Sequence, residues 1–509
     1  MLILYLFLHI IIKEMKILIQ DSTMLFQFGG IFLQQHKKAF FKNFRLRPTQ
    51  VIIIGFAAVI LFGGFLLSLP FSAANPAQTV HFQDAVFTST TAVCVTGLIT
   101  VDTGSSYSTL GHIIIICLVQ FGGLGFMTVA TMLLMMLGRR ITLRERLVIQ
   151  ESLGESGLRG LVRMVRRVVL MTFVIELAGA VAMSFRFIPK LGLGWGVFTS
   201  IFQSISSFCN AGLDIFGKYN PNLAFTSLDT YVTDPLINIT VMSLIVLGGL
   251  GFCVIEDLLR QRFRFRKLAL HSKVVISMTI TMILGGALFF YLVETRNVQD
   301  VSTFAENGIA KTIGDPNLST GQQIMASFFQ SVTPRTCGYE TVPQANLTPA
   351  SKVMTVILMF IGASPASTGG GIKTTTAFII LITILSVLRG RENITAFERR
   401  MEADVLRKAL TLSVFALILV VVGAMAISLI ESGFGNNFNM LDLVFETTSA
   451  FGTVGISSVG TPHLARASQT LLILTMYIGR VGPLTLMVAL SVRSPKNGTN
   501  PPEGHILLG

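Results

Sequence analysis

Charge is scarce in this chain. Asp, Glu, Lys and Arg make up 13% of its 509 residues, about half of the ~25% found in a soluble domain. Mean hydropathy is +0.69, and a soluble globular protein is thereby excluded. Cysteine is sparse as well. The five residues are odd in number and none stands in CxxC spacing, which argues against a disulfide framework or a zinc site. The seven His are scattered, and neither HExxH nor GxSxG occurs, so an intramembrane enzyme has no motif to stand on. What the chain does have is 51% hydrophobic residues, 39 Phe, 46 Gly and a net charge of +13.

About 20 apolar residues cross a bilayer as a helix. Seven stretches qualify: Val51–Pro70, Gly111–Gly138, Val168–Phe185, Leu236–Ile255, Val274–Val293, Ala409–Ile430 and Ser468–Val492. An eighth, Val353–Leu388, is too long for one straight span and has a Gly/Ser-rich middle. The first 12 residues are apolar but too short to span, and with no cationic leader or small-residue cleavage site they do not read as a signal peptide. Of the 39 Lys and Arg, 29 fall in the tails and in alternate loops. Eight are Arg139, Arg140, Arg144, Arg146, Arg159, Arg163, Arg166 and Arg167, all in one loop. Between Pro70 and Gly111 there is none. By the positive-inside rule both termini are cytoplasmic, and the excess charge marks one face of a membrane rather than a nucleic-acid surface.

Each outer segment also holds a shorter apolar run: Phe82–Cys94, Val197–Cys209, Met325–Thr336 and Met440–Gly452. These are too short to span and fit re-entrant half-helices, which membranes tolerate where they line a cavity. The four resemble one another. From Phe87 the first reads FTSTTAVCVTG, ending at Gly97, and from Phe202 the second reads FQSISSFCNAG, ending at Gly212. From Phe329 the third reads FQSVTPRTCG, ending at Gly338, and from Phe445 the fourth reads FETTSAFGTVG, ending at Gly455. A second glycine-rich echo follows inside the next span: Gly122–Gly125, Gly248–Gly251, Gly369–Gly371 and Gly479–Gly482. Such repetition outweighs any single motif. It predicts an all-α integral membrane protein of eight transmembrane helices, in four parallel helix–half-helix–helix repeats around one central pore. The boundaries are a cytoplasmic tail 1–47, a first repeat 48–138, a basic loop and second repeat 139–257, a third repeat 258–390, a fourth 391–492 and a cytoplasmic tail 493–509.

A half-helix entering from outside points its C-terminal, partly negative end at the membrane centre. Four such ends favour a dehydrated cation. Gly can take the positive φ that turns consecutive carbonyls to an axis, and rings of carbonyls replace the hydration shell in potassium filters. No carboxylate ring adjoins the glycines; Asp214 and Glu340 each follow one by two residues, without counterparts. A divalent ion would want several carboxylates, so a monovalent cation, potassium first, fits better. The plainer reading is that the glycines only serve helix packing.

Two cations, Lys373 and Arg480, stand inside apolar spans. Such charges usually face the interior or a wet cavity and act on ion passage; the alternative is a paired structural charge. The stretch Gly362-Ala-Ser-Pro-Ala-Ser-Thr-Gly-Gly-Gly-Ile-Lys373 cannot hold a regular helix, while Ser364, Ser367 and Thr368 can satisfy freed backbone groups. A flexible plug beneath the filter follows. A nucleotide P-loop does not, because Ile372 separates Gly371 from Lys373. Cys94, Cys209 and Cys337 read as small buried thiols. The rival at the level of function is a secondary transporter of another cation or solute.

The motifs resemble the superfamily of potassium transporters that includes Trk, Ktr and HKT proteins, nearest to the membrane subunit of bacterial Ktr systems. The likeness rests on AVCVTGL at 92–98, SSFCNAG at 206–212, RTCGY at 335–339, SAFGTVG at 449–455, STGGGIKTTT at 367–376 and IGRVGPLTL at 478–486. It covers about residues 48–509; residues 1–35 depart from it. The resemblance implies a potassium uptake protein of the bacterial cell membrane, often Na⁺-dependent, with no organic cofactor in this chain. It implies a homodimer with one pore per subunit and a cytosolic nucleotide-binding regulator of the KtrA type. It assigns the filter to Val95, Thr96 and Gly97; Asn210, Ala211 and Gly212; Thr336, Cys337 and Gly338; and Thr453, Val454 and Gly455. It assigns the gate to the loop 362–373, with Gly362, Ser364, Gly369, Gly370, Gly371 and Lys373, and to Arg480 facing it.

Overall fold

The computed structural model describes residues 48–125, 128–129, 131–132, 161–219, 224–297, 310–391, 394–401, 403–482 and 485. The expected tails 1–47 and 493–509 and most of the basic loop 139–167 lie outside the described residues.

The chain is mostly helical there. In order come α1 (Pro48–Leu67), α2 (Phe82–Cys94), α3 (Thr109–Leu124), α4 (Leu161–Leu191), α5 (Leu193–Phe208), α6 (Pro235–Leu250) and α7 (Phe252–Arg260). Then follow α8 (Leu270–Glu294), α9 (Thr320–Val332), α10 (Pro349–Phe360), α11 (Thr374–Leu388), α12 (Ala403–Gly433), α13 (Met440–Gly452) and α14 (Arg466–Val481). A two-residue hairpin pairs Thr395–Ala396 with Arg399–Arg400. Local sequence sets the starts. Asp234 caps α6 with Pro235 at its first position, Thr348 and Pro349 do the same for α10, and Ser319 with Gln322 forms a capping box on α9.

Helices α1, α4, α8 and α12 are long and apolar enough to cross a membrane, and the bent pair α6–α7 would make a fifth span. Their outward faces are apolar: Val414, Leu417, Ile418, Val421, Met425 and Leu429 of α12 are all exposed. The centre is the opposite. Thr88–Thr91 of α2, Ser204, Ser206 and Ser207 of α5, and Thr447–Ser449 of α13 are fully buried. Hydroxyls can lie at the centre because each finds a protein partner, which lipid would not provide: most donate to carbonyls, Thr88 bonds the Tyr107 hydroxyl, and Thr91 and Ser449 accept from amides.

The expected half-helices are present. α2 and α13 match their predicted limits to the residue, while α5 and α9 begin and end earlier than the runs 197–209 and 325–336. Three of the four half-helices are fastened to the preceding long helix in one way. Two residues after the quoted Phe, Ser89 donates to Ile60 O at 2.7 Å, Ser204 to Glu176 O at 2.6 Å and Ser331 to Ile283 O at 2.8 Å. Each hydroxyl lies against a glycine one turn further on, Gly63, Gly179 or Gly286, where a Cβ would collide with it. In the fourth repeat Thr447 faces Gly423 but bonds its own helix at Leu443 O, 2.8 Å away.

Three spans expected as continuous are broken. Leu236–Ile255 bends by 96° between α6 and α7. Gly111–Gly138 is interrupted at Gly125, with 128–129 and 131–132 helical again, and Ser468–Val492 is interrupted at Gly482. The cause is shared: Gly125, Gly251 and Gly482 have φ of 81°, 90° and 88° with ψ near extended, a conformation that a side chain resists. These are the last glycines of the echo. The break foreseen only in Val353–Leu388 is thus an enlarged version of one that all four repeats carry.

Candidate functional site

Helices α2, α5, α9 and α13 each lead into a short loop, and the four loops have one conformation. Val95, Asn210, Thr336 and Thr453 sit in the left-handed region at φ 49°, 58°, 76° and 51°. Two residues later Gly97, Gly212, Gly338 and Gly455 take φ of 101°, 63°, 96° and 100°. Hydroxyls of the half-helices hold the turns open. Thr91 accepts the Gly97 amide at 2.8 Å and Ser449 the Gly455 amide at 3.0 Å. Ser206 accepts from the Leu213 amide at 3.1 Å and donates to Leu213 O at 2.7 Å, while Thr333 donates to Tyr339 O.

The loops meet in cyclic order. A Cβ on Gly97 would lie 2.9 Å from Ala211 O; one on Gly212 would strike Cys337 O, one on Gly338 Val454 O, and one on Gly455 Thr96 O. Each glycine therefore abuts the carbonyl just before the glycine of the next repeat, and the fourth closes on the first. Every glycine assigned from the motifs is brought into this ring, with its two preceding residues buried.

Outside the ring lies a cavity of about 130 Å³ lined by all four glycines together with Asp214, Glu340, Ser227 and Ser457. The two acids that the sequence leaves without counterparts thus share one mouth. Both stand in loops beyond the glycines, outside the spanning segments. Burial pushes the Asp214 carboxyl up to about 7, with the Asp102 carboxylate adding to it. Burial pushes Glu340 up to about 8, helped by Asp214. Asp229, buried nearby, is likewise raised by burial and by Glu340.

On the other side of the ring the segment between α10 and α11 crosses beneath it, pinned by a parallel bridge between Ile361 and Ile372. Its amides cap carbonyls that the α6–α7 break sets free: Ser364 N donates to Gly249 O at 3.1 Å and Thr368 N to Gly248 O at 3.2 Å. The Thr368 hydroxyl donates to Phe208 O at 3.3 Å, at the end of α5. The Gly370 amide donates to the Thr453 hydroxyl at 3.0 Å. Gly369 lies against the Thr336 hydroxyl with no room for a Cβ, and the Asn210 amide group sits 3.1 Å from that same hydroxyl. Lys373 donates to Gly369 O at 2.8 Å, inside its own loop.

Arg480 reaches this loop from α14. Its guanidinium donates to Thr368 O and to Gly122 O, which also accepts from the Gly125 amide at the α3 break. Among the described residues neither Lys373 nor Arg480 forms an ion pair. Glu176 instead accepts from Gln120 Nε2 at 3.1 Å and lies 3.8 Å from Cys209 Sγ. The paired-charge alternative for the two cations is set aside. Cys94, Cys209 and Cys337 are free and buried, as expected.

Sequence reading missed the bracing hydroxyls and the glycines of the long helices. The signal for the first was present, because Thr91, Ser206, Thr333 and Ser449 all lie inside the quoted motifs. The shared mouth of Asp214 and Glu340 was not readable, since the two come from different repeats.

The chain matches the family model of TrkH, described as cation transport protein, over residues 22–500. It belongs to the TrkH family. It is 36% identical over 465 residues to the Ktr system potassium uptake protein B of Bacillus subtilis, covering 91% of this chain and 97% of that one. It is 37% identical over 468 residues to the potassium/sodium uptake protein NtpJ of Enterococcus hirae, covering 91% and 98%. The crystal structure of the potassium transporter TrkH from Vibrio parahaemolyticus superposes with a TM-score of 0.62 at 17% identity, over 86% of this chain and 84% of that one, and shares the fold. Membership in the TrkH family makes the chain a multi-pass membrane transporter and not an enzyme.

Proposed function

We propose that this TrkH-family chain is the ion-translocating subunit of a Ktr-type potassium uptake system. Eight transmembrane helices in four parallel repeats surround one pore, and the backbone carbonyls preceding Gly97, Gly212, Gly338 and Gly455 form its selectivity filter. The observation that carries this reading is the cyclic contact of each glycine with the carbonyl of the next repeat. Carbonyls arranged in that way can replace the water of a monovalent cation. The names of the relatives from Bacillus and Enterococcus favour K⁺ as the cargo, with Na⁺ as the coupling or companion ion.

The crossing segment 362–373 is the gate of this pore. It lies against Thr336 and Thr453 on the side away from the acidic mouth, so an ion leaving the ring meets it next. Arg480 latches it by holding Thr368 O. Both termini are cytoplasmic in a bacterial cell membrane, the subunit works as a homodimer, and a nucleotide-binding regulator of the KtrA type acts from the cytoplasmic side. Membrane lipid surrounds it, and nucleic acid has no part.

The test is growth at low K⁺ of cells lacking their own K⁺ uptake. The chain, expressed with a KtrA-type partner, restores growth, and Gly455→Ser does not at equal membrane abundance. Failure of the wild-type chain to restore growth, together with absence of Rb⁺ uptake, would overturn the reading.

A further inference from the structure

Away from the ring, a groove of about 740 Å³ opens between the start of α4 and the whole of α7. Its wall is apolar, with Leu170, Met171, Val174 and Phe252, and it is flanked by Arg167 and Arg260. We propose that this groove holds a phospholipid with an anionic headgroup, its phosphate at Arg260 and Arg167 and an acyl chain along Leu170, Met171 and Val174, and that its occupancy biases the crossing loop through Phe252.

Depth argues for a lipid. Leu170, Val174, Leu177, Val181 and Phe185 form an exposed apolar stripe along α4. From Arg167 to Phe185 the helix rises about 27 Å, close to the ~30 Å of a hydrocarbon core. The arginine end therefore lies at headgroup level and the groove just inside it, continuous with the lipid-facing stripe.

Charge argues for an anionic headgroup. Arg167 is ion-paired with Glu256 across the groove, whereas Arg260 makes no ion pair among the described residues. The site keeps a net positive charge, and Arg163 and Arg166 are exposed on the same turns of α4. Basic pockets between membrane helices suit such headgroups. A free anion would use the arginines but leave the apolar wall uncovered, at a cost that scales with its area.

Phe252 links the groove to the loop. It is buried, and its amide donates to Ala366 O at 2.9 Å. Its ring centroid lies 6.5 Å from that of Phe208, whose carbonyl takes the Thr368 hydroxyl. A chain packed on Phe252 thus favours the arrangement of α7 in which Ala366 and Thr368 are held. The lipid site stands on this geometry alone; its effect on flux rests on the proposed gate.

The experiment uses the full chain in mild detergent with added phosphatidylglycerol or phosphatidylcholine, read by native mass spectrometry, and then proteoliposomes of each lipid. The wild type retains phosphatidylglycerol in preference to phosphatidylcholine. Arg260→Gln weakens retention about five-fold, the factor that one basic side chain contributes at an anionic lipid surface. Val174→Trp, which fills the groove, abolishes it. Both positions are exposed, and unchanged melting temperatures confirm folding. Rb⁺ flux of the wild type changes at least about two-fold between the two lipids, and that of Val174→Trp does not. Equal retention of both lipids, or retention untouched by the two substitutions, overturns the site and leaves the groove to another part of the chain. Normal retention with lipid-independent flux overturns the link to the loop, and normal retention without flux in any lipid overturns the transport reading instead.

Discussion

The Gly370 amide donates to the hydroxyl of Thr453 at 3.0 Å. One residue of the crossing loop is thereby bonded to a residue two places before Gly455, and the loop and the ring form one unit rather than two stacked parts. The bond joins the third repeat to the fourth, as Arg480 joins the fourth to the third and first through Thr368 and Gly122. Movement of the loop must break contacts to every repeat it crosses, including those of Ser364 and Thr368 with the second.

Thr453→Val isolates one of these bonds. Valine already occupies the matching left-handed position in the first repeat, as Val95 at φ 49°, so the ring tolerates it. A hydrogen bond of this kind contributes about 1 kcal/mol net. Rb⁺ flux is expected to rise by up to about five-fold with an unchanged K⁺/Na⁺ ratio. Arg480→Gln and a deletion within 362–371 raise flux further, because bonds to a charged donor are about twice as strong. Unchanged or lower flux at normal membrane abundance in all three would count against the gate.

Much of this was legible in the sequence because repetition reports geometry. The four Phe-to-Gly runs disclosed the half-helices and the ring glycines, and the scarcity of charge with the long apolar runs disclosed a membrane. The breaks at Gly125, Gly251 and Gly482 were not read, since an isolated Gly in an apolar run is equally at home inside a membrane helix. Only contacts between repeats separate the two cases. Gly122 and Gly248 press on the carbonyls of Val93 and Phe208, and no local pattern reveals that. The same holds for Arg480: its burial was foreseeable, but its partners Thr368 and Gly122 lie more than 100 residues away.

The four glycines are not equivalent, and serine scanning should rank them. A Cβ on Gly455 would overlap Thr96 O and lie 2.6 Å from Gly97 Cα. On Gly97 the nearest atom is Ala211 O at 2.9 Å. Both positions also force serine to φ near +100°, a conformation that strains any side chain. Gly455→Ser and Gly338→Ser are expected to lose most discrimination against Na⁺ in competition uptake, and Gly97→Ser less. Serine variants that all keep wild-type selectivity would remove these positions from the filter.

With the termini cytoplasmic as proposed, the mouth faces outward and external pH should act through it. Asp214, pushed up to about 7, and Glu340, pushed up to about 8, face the same cavity as the four glycines. Below these values the carboxyls are neutral; above them they are anionic and concentrate cations at the ring. The apparent affinity for K⁺ is therefore expected to strengthen as external pH rises from 6 to 9. Stability moves the other way. A carboxyl whose folded pKa exceeds its unfolded one stabilises the fold fully at low pH and loses that contribution as pH rises through the folded value. The melting temperature should accordingly decline between about pH 4 and pH 8 by this route. Asp214→Asn and Glu340→Gln remove the titrating groups while keeping their shape. The double variant is expected to flatten both profiles over this range, and a pH dependence of uptake as steep as that of the wild type in this variant would exclude the two carboxyls as its source.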